Sequence, residues 1–140
     1  MDFELCHDLI AMDWTEAAAL IRVAGLGERK PDKMRRAWEN SQLVCVARVK
    51  GQLVGLGRAI SDGEFHAVIY DVAVLPEFQG KGLGRRIMDA LLNGLPMDTV
   101  LLYAVPGKQG FYKQFGFEPL LTGMARFQRR ERMKTLGYIP

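Results

Sequence analysis

The chain has 140 residues, a length that suits one domain with a single core. Apolar residues make up 49% and charged residues 25%, an ordinary globular balance. No window approaches the ~20 apolar residues of a membrane span, and a net charge of +3 suits an anionic ligand without calling for nucleic acid. Cys6 and Cys45 have no CxxC spacing and no histidine-rich neighbourhood, so they read as reduced buried thiols of a cytoplasmic protein, with no metal site. Met1 to Leu5 has no basic region and no apolar signal core, so no secretory signal is expected.

In chain order, Phe3 to Leu9 is a plausible first strand. Asp13-Trp14-Thr15-Glu16 has the capping-box pattern, with Trp14, Ala17, Ala18, Ile21 and Ala24 following at helical spacing and Gly25 as the stop. A loop from Gly25 to Lys30 precedes Pro31, placed where a helix tolerates proline. Met34, Ala37 and Trp38 form the stripe of a short second helix. Three strands come next: Gln42 to Val49, Leu53 to Ile60 and His66 to Val74, joined at Lys50-Gly51 and Ser61-Asp62-Gly63. Gly55 and Gly57 inside the second of these hint at a bulge or a close backbone approach. The third is apolar on both faces except at Tyr70 and Asp71, as a central strand should be.

Leu83, Ile87, Ala90, Leu91 and Leu95 predict a helix ended by Gly94 and Pro96. Thr99 to Val105 reads as a strand of parallel type. A short helix carries Phe111, Tyr112 and Phe115, with Gly116 as its cap. Phe117 to Leu121 and Met124 to Gln128 read as a closing strand pair, and the basic tail from Arg129 to Pro140 as weakly structured. The order β-α-α-β-β-β-α-β-α-β-β implies a single α+β domain with a mixed sheet and helices on both faces.

The chemistry concentrates between Asp71 and Arg86. A β-branched run ends at Pro76, a loop carries Gly80, Lys81, Gly82 and Gly84, and a helix starts with Arg85 and Arg86 in its first turn. The leading N–H groups of a helix, with its dipole, make an anion site, and glycines let the backbone come close. A Walker loop is excluded, because Gly80-Lys81 is followed by Gly82 and position 75 is leucine. A dinucleotide fingerprint is excluded too. Counting from Gly80 the third glycine would be Arg85, and counting from Gly82 it would be Ile87.

What remains is Gln-x-x-Gly-x-Gly at Gln79, Gly82 and Gly84. With Phe111-Tyr112-Lys113-Gln114-Phe115-Gly116-Phe117 downstream, in order and at about the right spacing, the stretch resembles the coenzyme signature of the GNAT N-acetyltransferase superfamily. The resemblance covers roughly Gln42 to Phe127. It implies a three-layer α/β/α fold whose mostly antiparallel sheet of six to seven strands splays between two central parallel strands. It further implies acetyl-CoA as cosubstrate, no metal, and a small-molecule primary amine as acceptor.

The backbone from Gln79 to Gly84, including Gly80, Lys81, Gly82 and Leu83, would hold the diphosphate, with Lys81 and Arg85 as charge partners. Free N–H groups at Val72 and Val74 would take the pantetheine arm and the thioester oxygen. Tyr112 stands where the family places its general acid. Asp71, a carboxylate inside an apolar strand, is the candidate for binding the amine or relaying its proton, and a bulge near Val72 would decide which way it points. Glu64 and His66 are further candidates. Trp38, Arg58, Tyr70, Met124 and the loop from Gly25 to Pro31 could shape the acceptor pocket. Many members carry an asparagine seven residues before the tyrosine; here that position is Val105, and no asparagine role carries over.

Two other readings stand beside the first. The acceptor could be a protein lysine or N-terminal amine. The chain could instead be a non-catalytic acyl-CoA-binding module, with nucleic-acid binding by the basic tail disfavoured for lack of interleaved aromatics. An exposed strand edge at the C-terminus would support a homodimer.

Overall fold

A computed structural model describes residues 2–140. The chain divides into two compact units, one ending at Leu102 and one spanning Tyr103–Pro140.

The first unit runs β1 (Glu4–Cys6), α1 (Trp14–Val23), α2 (Pro31–Glu39), β2 (Leu43–Val49), β3 (Gln52–Ser61), β4 (His66–Val74), a 3-10 turn (Pro76–Phe78), α3 (Leu83–Asn93) and β5 (Thr99–Leu101). The five strands form one sheet in the order β1-β2-β3-β4-β5. The first four pair antiparallel in sequence, and β5 pairs parallel with β4. The expected six to seven strands are thus five among the described residues. The parallel pair closes one border of the sheet instead of lying at its centre.

Local chemistry explains these elements. Asp13 caps α1 by accepting the N–H groups of Thr15 at 2.9 Å and Glu16 at 3.1 Å. Glu16 completes only half of a capping box: it reaches across to accept the Leu53 N–H at 3.3 Å and so ties α1 to β3. Pro31 opens α2. Lys50 and Gly51 both take positive φ, as a tight hairpin between right-twisted strands requires. At the next turn Asp62 Oδ1 accepts the N–H groups of Glu64, Phe65 and His66.

The core lies on both faces of this sheet. Ala17, Leu20 and Ile21 of α1 and Met34 and Trp38 of α2 bury against Val44, Val46, Leu56 and Ala73. On the opposite face α3 presses Ile87 and Leu91 onto the bare backbone of Gly55 and Gly57. Cys45 is buried, which pushes its thiol up to about 11 and leaves it inert at neutral pH.

The second unit holds α4 (Gln109–Lys113) and α5 (Arg130–Thr135). Neither expected closing strand forms. Pro119 withdraws a donor from the first segment, and Leu121 and Met124 stand 96% and 98% exposed, so no buried face offsets the ordering of these segments as strands. The tail, expected to be weakly structured, contains α5 instead. Its end is closed by the Gly137 N–H on the Lys134 carbonyl and the Tyr138 N–H on the Met133 carbonyl, a paired C-cap that the glycine permits.

The approach of α3 to β3 makes one position decisive. A Cβ added at Gly57 would stand 2.9 Å from Ile87 Cγ2 and 3.1 Å from Leu91 Cδ1. Gly57→Ala is therefore expected to cost about 1–3 kcal/mol through overpacking, read as a lower urea midpoint at unchanged slope. An unaltered midpoint would mean that α3 slides freely on the sheet.

Candidate active site

The site is built on β4. Tyr70 pairs with Arg58 and Ala73 pairs with Leu56, so two residues of β4, Asp71 and Val72, oppose the single Gly57 of β3. This is a β-bulge, and Asp71 occupies it in a left-handed conformation with φ +60°. Strict alternation would have aimed the Asp71 carboxylate at α3 and its apolar residues. The inserted residue turns it to the face of Tyr70 and Arg58. Val72 takes the other side, its Cγ2 close to Gly57.

On that face three charges meet. Asp71 Oδ2 accepts Arg58 Nε at 2.7 Å and Arg29 Nη1 at 2.7 Å. Arg29 comes from the loop between α1 and α2. The Asp71 side chain is 6% exposed, that of Arg58 12% and that of Arg29 31%. The Arg58 guanidinium lies 5.4 Å from the Tyr70 ring centre and 6.0 Å from that of Trp38, within cation–π range. Its Nη1 also donates to Ser41 Oγ at 3.4 Å. Burial pushes the Asp71 carboxyl up, but the hydrogen bonds from Arg29 and Arg58, with their charges, outweigh it and hold the group below its ordinary value. Asp71 is thus a firmly ionised acceptor and a weak base.

The same strand then supplies an open backbone edge. Pairing with β5 runs from His66–Thr99 to Val68–Leu101 and goes no further. Leu75 N–H turns to β3, donating to the Val54 carbonyl at 2.9 Å, so alternation puts the polar groups of Val74 on the opposite edge, the one β5 has left. Gln79 folds back to that edge and donates its Nε2 to the Val74 carbonyl at 3.0 Å. The glutamine side chain therefore fixes the loop to the strand end. Its own backbone N–H donates to the Pro76 carbonyl at 3.3 Å.

Beyond Gln79 the loop opens. Gly80 and Gly82 have φ of +73° and +81°, with open space where a Cβ would stand. Gly82 is the N-cap of α3 and brings no side-chain cap. The first bond of the helix is Arg86 N–H to Gly82 carbonyl, so the amides of Leu83 and Gly84 lead the helix without an intrahelical acceptor. Leu83 is buried and anchors the turn, while Lys81 and Arg85 are exposed on it. The features from which the sequence led us to expect an anion site, a dipole end, bare backbone and cations, thus lie together at the start of α3.

In the second unit Tyr112 lies on α4, its ring 5.0 Å from Phe111 and 6.2 Å from Phe117. Burial raises its phenol above the ordinary value near 10. Of the other sequence candidates, Trp38 belongs to the core beneath Arg58. Glu64 lies in the β3–β4 turn and His66 opens β4, both exposed, and Met124 points to solvent. Sequence reasoning missed Arg29 as the partner of Asp71. The only signal for it was a positive charge in a loop already suspected of shaping the pocket.

The ion cluster carries a stability consequence with a defined sign. Asp71 has a folded value depressed below the unfolded value of 3.8, so its contribution is present above about pH 4 and is lost as pH falls through the folded value. Asp71→Asn leaves Arg58 without its charge partner and is expected to cost about 3 kcal/mol at pH 7, with a flatter acid limb below pH 4 in urea titrations.

Comparison with known proteins identifies the family and the fold. Residues 40–119 match the Acetyltransferase (GNAT) domain family. Serotonin N-acetyltransferase 2, chloroplastic, of Oryza sativa subsp. japonica is 38% identical over 120 residues, covering 79% of this chain and 60% of that protein. The histone acetyltransferase TAP1 of Glycine max is 31% identical over 121 residues, covering 76% and 52%. The chain spans roughly half to two thirds of the length of such curated relatives. Among solved structures, a GNAT-family acetyltransferase from Streptococcus pneumoniae superposes with a TM-score of 0.79 at 25% identity, covering 91% of this chain and 99% of that one. A glucosamine-6-phosphate N-acetyltransferase from Arabidopsis thaliana shares the fold, with a TM-score of 0.67 at 18% identity. The match over residues 40–119, more than half of the chain, places this chain in the GNAT acetyltransferase family.

Proposed function

We propose that the chain is an acetyl-CoA-dependent N-acetyltransferase that acetylates a primary amine of a small molecule by direct attack on the thioester. The observation that carries this is the continuity of one strand. The edge of β4 that β5 leaves after Val68 runs on to Val74 and, through Gln79, into the uncapped end of α3. A ligand with an amide-bearing arm and a diphosphate needs those two features in that order.

In this reading the amides of Leu83 and Gly84 take the diphosphate, with Gly80 and Gly82 leaving room for it and Lys81 and Arg85 adding charge. The Val74 N–H, and the Val72 N–H beside the bulge, serve the pantetheine arm and the thioester carbonyl. A donor aimed at the developing oxyanion is worth on the order of 3 kcal/mol. The neutral amine attacks the carbonyl carbon, the N–C bond forms, the C–S bond breaks, the thiolate takes a proton, and the acylated nitrogen sheds its extra proton to solvent, which reprotonates the donor. Tyr112 is the proton donor, and the burial that raises its phenol keeps it protonated across the working range. Asp71, firmly ionised by its arginines, accepts an N–H of the amine and orients it, while the surplus ammonium proton goes to solvent.

A protein amine is the second reading. It is favoured by the likeness to a protein named as a histone acetyltransferase, against the likeness to one named for serotonin. Thiol release from acetyl-CoA, monitored with small amines and with lysine-bearing peptides in parallel, separates the two. The first reading expects kcat/KM for the best small amine to exceed that of any peptide. Tyr112→Phe should lower kcat by about 10²- to 10⁴-fold, with little change in the KM for acetyl-CoA. The parent's kcat should fall only above pH 10, the sign expected for a raised phenol, and that limb should vanish in the variant. Equal kcat in parent and variant would remove Tyr112 from the chemistry.

A further inference from the structure

We infer that the Arg29–Arg58–Asp71 cluster is an anion-recognition subsite, and that the acceptor is an amine that itself carries a carboxylate or phosphate. The inference rests on the acetyltransferase reading above and adds the substrate class.

Charge comes first. Two guanidiniums face one carboxylate, so the cluster holds one unbalanced positive charge among largely buried groups. No other acid relieves it: Glu28, next to Arg29 in the loop, is exposed and forms no ion pair among the described residues. Hydrogen bonds lead to the same surplus. Arg58 uses Nε on Asp71 and Nη1 on Ser41, and its Nη2 has no acceptor among the described residues. Arg29 uses Nη1 on Asp71, leaving Nε and Nη2 without one there. Trp38, 1% exposed and stacked by Arg58, keeps a buried Nε1–H with no partner among the same residues. The unpaired guanidinium groups are not sealed from solvent but face it, where an anion can take them. A guanidinium offers a planar fork that fits a carboxylate or a phosphate with two parallel bonds.

Position completes the case. Asp71 uses only Oδ2 for both arginines; its Oδ1 has no partner among the described residues and is not sealed from solvent. An amine N–H can rest on Oδ1 while an anion on the same molecule takes the open edge of Arg29, the most exposed of the three groups at 31%. The carboxylate would then receive the reacting end and the arginine the recognition end. The loop carrying Arg29 turns at Gly25 and Gly27, both at positive φ, is held to α1 by the Leu26 N–H on the Ile21 carbonyl, and reaches β4 through Arg29 on Asp71. Arg29 is in this sense the specificity residue of the site. A site with such donors rejects an analogue lacking their acceptor far more strongly than an apolar pocket rejects a missing methylene.

The test compares acceptors of matched length: pentylamine, 5-aminopentanoate and 3-aminopropyl phosphate, assayed by thiol release from acetyl-CoA. At least one anion-bearing amine should exceed pentylamine in kcat/KM by tenfold or more, and the better of the two identifies carboxylate or phosphate as the group read. Arg29→Gln should bring that ratio near one, and Arg29→Lys should restore part of it, which a merely structural arginine would not do. A parent ratio near one, or a ratio unchanged in Arg29→Gln, overturns the inference while leaving the enzyme class intact. Absence of turnover with every amine overturns the enzyme class instead. The subsite is then read by tryptophan fluorescence in a Trp14→Phe background, where Trp38 is the one remaining tryptophan. Saturable change with propionate or inorganic phosphate, lost in Arg29→Gln, upholds the anion site, and no saturable change refutes it.

Discussion

The structure of the first unit depends on one inserted residue. Asp71 sits in a bulge with φ +60°, a conformation that costs a non-glycine residue on the order of 1 kcal/mol and that aspartate tolerates better than most. Without the insertion, β4 would present Asp71 to the face occupied by Ile87 and Leu91, where a carboxylate would have no partner. With it, the carboxylate meets Arg58 and Arg29, and the strain is offset by two charge-assisted bonds of 2.7 Å. The bulge and the ion cluster are therefore one device. Either alone would be unfavourable.

The same insertion governs the course of the chain from Val72 to α3. It lies between the last pairing with β5, at Val68, and the strand end at Val74, so it lies within the stretch that has left its parallel neighbour. Opposite it, Gly57 has no side chain, which lets α3 lie close and brings the start of that helix near the end of β4. Gln79 bridges the remaining gap with a single bond to Val74. Bulge, bare glycine and glutamine clamp each serve the same end: a backbone edge that leads to a helix N-terminus.

Much of this was written in the sequence at short range. The glycine loop, the Asp13 cap, the three-strand meander and the close approach at Gly55 and Gly57 are all local chemistry, and local chemistry survives folding. What was not legible depends on choices made at a distance. Nothing near Arg29 says that it will cross to β4. The direction of Asp71 required knowing whether β3 and β4 were in register, which no window on β4 alone reveals. The C-terminal segments failed for a different reason. Leu120, Leu121 and Met124 have strand-like composition, yet a strand is held by its partner and its buried face, and these residues have neither among the described elements. The helix Arg130–Thr135 was hidden by its charge, though Gly137 and Tyr138 spelled its cap.

The ion cluster also limits what Asp71 can contribute to acetyl transfer. A carboxylate stabilised by two guanidiniums binds a proton poorly, so it cannot draw one from an ammonium whose ordinary value is near ~10. The unbalanced positive charge beside it acts in the opposite sense. It disfavours a second cation at the same place and so favours the amine in its neutral, nucleophilic form. An acceptor with its own anion would satisfy Arg29 and keep its nitrogen uncharged beside Asp71 Oδ1. On this view the site needs no strong base at all. In the proposed reaction solvent would remove the proton before the amine settles, Asp71 would orient what remains, and the arginines would set which amines settle there.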